Sequence, residues 1–190
     1  MIRVAIVEDN KTILENLTRF IQTTPDFQCV CTCVTAEEAL QVLPGHQPEV
    51  VLMDIQLPKL SGIECTARLK RLLPSLQIIM ITVYEDTERI SAALRVGACG
   101  YLLKRCKPEE LVAAVREARL GGVPMPREIA RKVIAAFRQP ITTAAEIVGK
   151  PFQRLRYAEK PVETGFIPRV AGFTRLKPGA NERRPFCRPF

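Results

Sequence analysis

Over its first 120 residues the chain alternates two hydrophobic periods, and that alternation limits the fold more than any other feature. Ile2–Val7, Phe27–Val34, Val50–Met53, Gln77–Thr82 and Gly100–Leu103 are short, largely apolar runs of strand length. Helical patterns lie between them. Asn10 stands where a cap is needed, ahead of Ile13, Leu14, Leu17, Phe20 and Ile21 at helical spacing. Thr35 and Glu38 read as a capping box before Ala39, Leu40 and Leu43. Ile63–Leu73 is a helix broken by Pro74, and Asp86–Val96 is one closed by Gly97. Pro108–Leu120 carries Pro in its first turn, Glu109 and Glu110 near its positive end, and Gly121 just beyond its other end. Five strands alternating with five helices imply an α/β domain with a parallel sheet. Strands this continuously apolar suit a sheet covered on both faces. The strand order does not follow from this pattern; the flavodoxin-like order 2-1-3-4-5 is one of two common doubly wound solutions.

With 47% apolar and 25% charged residues, the composition is globular. No apolar run is long enough to span a membrane. The N-terminus passes directly into a strand-like run without the pattern of a secretory leader, so a cytoplasmic location is expected. Of the seven cysteines, Cys29, Cys31 and Cys33 alternate within one strand-like run. They are expected on one side of the sheet, about 7 Å apart, too far for neighbours to bridge and not at zinc-binding spacing. Reduced thiols filling apolar space are the expected role. The single histidine, His46, sits in the loop-like Pro44–Pro48 stretch.

Chemistry-bearing residues gather where strands end. Glu8 and Asp9 follow the first strand, Asp54 the third, Thr82 ends the fourth, and Lys104 follows the fifth. In a parallel sheet these positions share the carboxyl edge, where open α/β folds bind ligands. Three carboxylates there repel one another unless a cation joins them, and hard oxygen ligands suit Mg²⁺. Glu8, Asp9 and Asp54, with the backbone carbonyl near Gln56, would form an incomplete shell with room for phosphoryl oxygens. Phosphoryl transfer needs alignment and neutralisation of the equatorial oxygens more than covalent help. The Lys104 ammonium and the Thr82 hydroxyl are placed to contribute, each such contact being worth roughly 2.7–4 kcal/mol in the transition state.

These stretches, Val7–Asn10, Met53–Gly62, Ile81–Tyr84 and Gly97–Lys104, resemble a response-regulator receiver domain of two-component systems over residues 1–120. The resemblance implies a flavodoxin-like, doubly wound (βα)5 fold. It implies that Glu8 and Asp9 hold Mg²⁺, that Asp54 is phosphorylated, that Thr82 and Lys104 read the phosphate, and that Tyr101 is the switch aromatic. A sensor histidine kinase would donate the phosphoryl group and hydrolysis would remove it, which makes the chain a phosphoacceptor rather than a turnover enzyme. Phosphorylation would draw Thr82 towards the phosphate and turn Tyr101 inward. A homodimer formed on phosphorylation is left open. A haloacid-dehalogenase-like phosphatase would need a second Asp two residues after the nucleophile, where this chain has Gln56. The family pattern places Pro directly after the lysine with a cis bond between them; here Arg105 follows, and a cis bond before it would cost about 2.5–4 kcal/mol.

Tyr84–Asp86, Pro108–Leu111 and Ala118–Gly122 resemble the LuxR/NarL-type branch, in which a linker helix leads to a DNA-binding helix-turn-helix. Residues 121–138 fit the linker, with Ile129, Val133, Ile134 and Phe137 on an amphipathic helix over Arg127–Arg138. Residues 139–190 do not fit the output domain. They hold 10 Lys/Arg against 4 Asp/Glu and seven of the 15 prolines. Each interior proline costs a helix about 3 kcal/mol. A poorly ordered basic tail is expected, arising from a frame shift near Gln139–Pro140 or from a natural disordered segment that binds nucleic acid non-specifically.

Overall fold

A computed structural model describes residues 1–138. The expected basic tail, 139–190, and the side chain of Phe137 lie outside the described residues. In chain order the elements are β1 (Ile2–Val7), α1 (Lys11–Thr23), β2 (Phe27–Cys33), α2 (Ala36–His46), β3 (Val50–Met53) and α3 (Gly62–Leu72). There follow β4 (Gln77–Thr82), α4 (Thr87–Arg95), β5 (Gly100–Leu103), α5 (Pro108–Arg119) and α6 (Arg127–Arg138). All strand pairs are parallel, in the order β2-β1-β3-β4-β5. This is the flavodoxin-like arrangement.

The period of two along each strand divides the core. Val4, Ile6, Val50, Leu52, Ile79, Ile81 and Leu102 face Ile21 of α1 and Leu111, Ala114, Val115 and Ala118 of α5. Their neighbours Ala5, Val7, Val51, Met53, Ile78, Met80, Tyr101 and Leu103 face α2, α3 and α4. Both faces of β3 are therefore dry, which explains a strand with no polar residue.

Helix starts follow local chemistry. The Asn10 side chain accepts from the Ile13 N–H at 3.2 Å. The Thr35 hydroxyl accepts from the Glu38 N–H at 3.2 Å, while the Glu38 carboxylate reaches back to the Val34 N–H at 2.8 Å. The expected box at Thr35 is thus closed one residue early. A complete box forms instead at Ser61 and Glu64, at the start of α3.

Two sequence-based expectations need correction. His46 is in the last turn of α2, not a loop: the helix continues through Pro44 and ends at Gln47, whose φ is +43°. The three β2 cysteines do not share a side. β1 and β2 shift register between Val4 and Ala5, which pair with Cys29 and Cys31, leaving Val30 as an extra residue. A bulge of this kind resets the alternation. Cys29 packs against the cluster on the α1 and α5 side, whereas Cys31 and Cys33 pack on the opposite face. The six cysteines among the described residues are free, and burial raises the Cys33 and Cys65 thiols to about 12, in keeping with apolar filling.

Candidate functional site

The register of the sheet builds the site. Val7 pairs with Met53 and Met53 with Met80, so Glu8 and Asp54 leave adjacent strands at one level. The Asp54 N–H still donates to the Val7 carbonyl at 2.9 Å, extending the ladder one step beyond the strands. Thr82 pairs with Leu103, and the Lys104 N–H donates to the Thr82 carbonyl at 2.8 Å. All four positions open at the carboxyl edge.

Their side chains converge. The Lys104 ammonium lies 2.7 Å from Glu8 Oε2 and 3.0 Å from Asp54 Oδ2. Carboxylate oxygens of Glu8, Asp9 and Asp54 lie within 4.8 Å of one another. Glu8 and Asp54 are 1% and 4% exposed and Thr82 is fully buried, while Asp9 faces solvent. Two sunken carboxylates and one open one, all oxygen donors at short range, fit a hard divalent cation with water on its outer side. The Thr82 hydroxyl accepts from the Tyr84 N–H at 3.4 Å. Tyr101 is fully buried, and its hydroxyl donates to the Tyr84 carbonyl at 2.9 Å.

The sequence matches the family described as response regulator receiver domain over residues 4–116. The chain belongs to that family. This receiver is similar to the transcriptional regulatory protein UhpA of Escherichia coli K12, 32% identical over 171 residues that cover 90% of this chain and 86% of UhpA. A two-component response regulator of the LuxR family from Aurantimonas sp. SI85-9A1 superposes with a TM-score of 0.68 at 28% identity, over 71% of this chain and 96% of that one. The isolated receiver of RcsB from Salmonella enterica serovar Typhimurium, solved with the phosphomimetic BeF3-, gives 0.63 at 25% identity, over 69% and 97%. The protein is a receiver-containing response regulator, and its relatives are transcription regulators.

Electrostatics in the receiver follow from burial. Desolvation raises the Glu8 and Asp54 carboxyls above their ordinary range. Hydrogen bonds from Lys104 oppose this for both, and proximity to Asp54 adds to it for Glu8. For Lys104 burial works the other way, lowering the ammonium, but its hydrogen bonds to Glu8 and Asp54 prevail and hold it above the usual lysine value. One cation thus holds two anions in place.

Sequence reasoning assigned no role to Gly62, Tyr84 or Glu85. A Cβ on Gly62 would stand 1.8 Å from the Asp54 carbonyl oxygen, so α3 can begin against the Asp54 backbone only with glycine there. The signal was present, since Gly62 closes the stretch Met53–Gly62, but its reason is a contact between segments. The Tyr84 hydroxyl bonds Gln56 across the rim, and the Arg89 guanidinium stacks 3.8 Å above the Tyr84 ring. Every described peptide bond is trans, including the one before Arg105. Arg105 turns instead to Glu85, at 2.5 Å. Among the described residues no helix is long and apolar enough to cross a membrane.

Proposed function

We propose that Asp54 is the phosphoacceptor of this receiver, with Glu8, Asp9, Asp54 and the Gln56 carbonyl as the ligands of a Mg²⁺ ion. The observation that carries the reading is the meeting of three carboxylates within 4.8 Å with an ammonium 2.7–3.0 Å from two of them. The ion, when bound, would neutralise a phosphoryl oxygen and draw the carboxylates together. An Asp54 carboxylate oxygen attacks phosphorus in line with the leaving nitrogen of a phosphohistidine on a sensor histidine kinase. The new P–O bond makes an acyl phosphate; the P–N bond breaks and its electron pair returns to the imidazole. Lys104, already within reach of Asp54, stabilises charge on the equatorial oxygens, and the Thr82 hydroxyl donates to another. Tyr101 is the aromatic that follows Thr82, through Tyr84, whose N–H donates to the Thr82 hydroxyl and whose carbonyl accepts from the Tyr101 hydroxyl. Water later hydrolyses the acyl phosphate, so the protein is a switch rather than a turnover enzyme. A cytoplasmic site of action accords with a kinase that draws on cytoplasmic nucleotide.

Incubation with acetyl phosphate and Mg²⁺, followed by intact mass measurement, tests this reading. The expected result is a gain of one phosphoryl group that needs the metal and is absent in Asp54→Asn. An equal gain in the variant would overturn it.

A second reading is a DNA-binding regulator of the LuxR type whose output domain is degenerate or replaced by the basic tail. It is favoured by one observation, that the match to UhpA covers 90% of this chain and so extends past residue 138. Gel-shift titration of the full chain against promoter DNA is expected to show weak, salt-sensitive retardation that vanishes when residues 139–190 are removed. Specific binding that survives the deletion would contradict it.

A further inference from the structure

The segment between α5 and α6 does not leave the domain. It runs beside β5, where the Tyr101 N–H donates to the Pro124 carbonyl at 3.0 Å. Gly100 permits this approach: a Cβ there would lie 2.6 Å from Pro124 Cγ and 2.8 Å from its carbonyl oxygen. Helix α6 then folds back on α4. Ile129 is fully buried in the same apolar cluster as Tyr101, Ile90 and Ala93, with Met125 and Val133 packed against it.

Polar contacts tie α6 to one loop. Lys132 Nζ donates to the Glu85 carbonyl at 2.7 Å and lies 3.2 Å from Glu85 Oε2. Arg105 pairs with the Glu85 carboxylate at 2.5 Å and with Glu128 of α6 at 3.6 Å. Residues 82–85 therefore carry three linked contacts. The Thr82 hydroxyl accepts from the Tyr84 N–H, the Tyr84 carbonyl accepts from the Tyr101 hydroxyl, and the Glu85 carbonyl accepts from Lys132. Arg105 and Glu128 are largely exposed, and such pairs contribute little by themselves. Ile129 seats the helix, whereas Lys132 joins that seat to the loop.

Resting on the assignment of Asp54 as phosphoacceptor, we propose that α6 is a docked reporter of the phosphoryl site, coupled to it through residues 82–85 by the contact of Lys132 with Glu85. A group on Asp54 that engages the Thr82 hydroxyl fixes the loop in the arrangement Lys132 already holds, with Tyr101 inside. Occupancy of the site tightens α6, and a seated α6 favours occupancy to the same degree, because coupling between two sites is reciprocal. Residue 105, where this chain departs from the family pattern, becomes part of the clasp.

Hydrogen–deuterium exchange on the full chain, with beryllofluoride and Mg²⁺ as the phosphoryl probe, tests the coupling. In the natural protein the probe is expected to protect residues 54–62 and to slow exchange in α6 by about fivefold or more. In Lys132→Met the protection at 54–62 should persist at saturating probe. The α6 response should be lost, and the probe should bind more weakly by a similar factor. Protection at 54–62 without any change in α6, or a Lys132→Met variant that responds like the natural protein, would overturn the coupling while leaving the phosphoacceptor reading intact. Absence of protection at 54–62 in the natural protein would remove both.

Discussion

At the scale of single residues, the site is a contest between one ammonium and two sunken carboxylates. Lys104 touches both Glu8 and Asp54, yet burial still raises both carboxyls. A carboxyl raised in the folded state takes up a proton that the unfolded chain does not hold. It therefore lowers stability above its folded pKa, and the loss disappears as pH falls through that pKa to the ordinary carboxylate value. The metal-free protein is expected to gain stability across that acidic window. Asp54→Asn removes one charge at nearly constant volume, so its urea midpoint at neutral pH should exceed that of the natural protein and its pH dependence should be shallower. A lower midpoint for Asp54→Asn at neutral pH would show that carboxylate crowding does not govern the site. Lys104 is a different matter: removing it strands two buried anions, a change that typically costs about 3–5 kcal/mol.

At the scale of elements, close approach decides more than propensity. Helix α3 can start where it does because Ser61 and Glu64 cap it reciprocally and because Gly62 has no side chain to strike the Asp54 carbonyl. The bulge in β2 re-aims Cys29 without altering the strand's apolar character. The linker lies on β5 because Gly100 leaves room for Pro124. Gly100→Ala forces these atoms apart, and overpacking of this kind costs roughly 1–3 kcal/mol. The expected outcome is a lower thermal midpoint together with faster amide exchange at Tyr101 and in α6. Unchanged exchange at Tyr101 would mean that the linker does not depend on this fit.

At the scale of the molecule, two layers of helices share one sheet. Helices α1 and α5 cover one face, and α2, α3 and α4 the other, where α6 joins α4. The carboxylate rim lies between the layers, at the carboxyl ends of the strands, as in other open α/β folds. On the coupling proposed above, a charge placed there would act on β4, β5 and the loop that α6 grips. A local electrostatic change would then reach a surface outside the carboxylate rim. Among the described residues, opposite charges nearly balance: residues 1–138 hold 18 Lys/Arg and 16 Asp/Glu. The basic excess belongs to residues 139–190, and any non-specific attraction for nucleic acid would belong there too.

Five strands and five helices were legible in the residues, as was the grouping of Glu8, Asp9, Asp54, Thr82 and Lys104 on one edge. Hydrophobic period reports which side of a segment is buried, and the ends of parallel strands must emerge together. Tertiary structure alone decided that Lys104 holds both Glu8 and Asp54, that Gly62 abuts the Asp54 backbone, that Cys29 parts from Cys31 and Cys33, that His46 stays helical and that α6 returns to Glu85. Each depends on a register or a distance between segments remote along the chain. Such quantities are set by how whole elements pack, and periodicity within one segment carries no record of them.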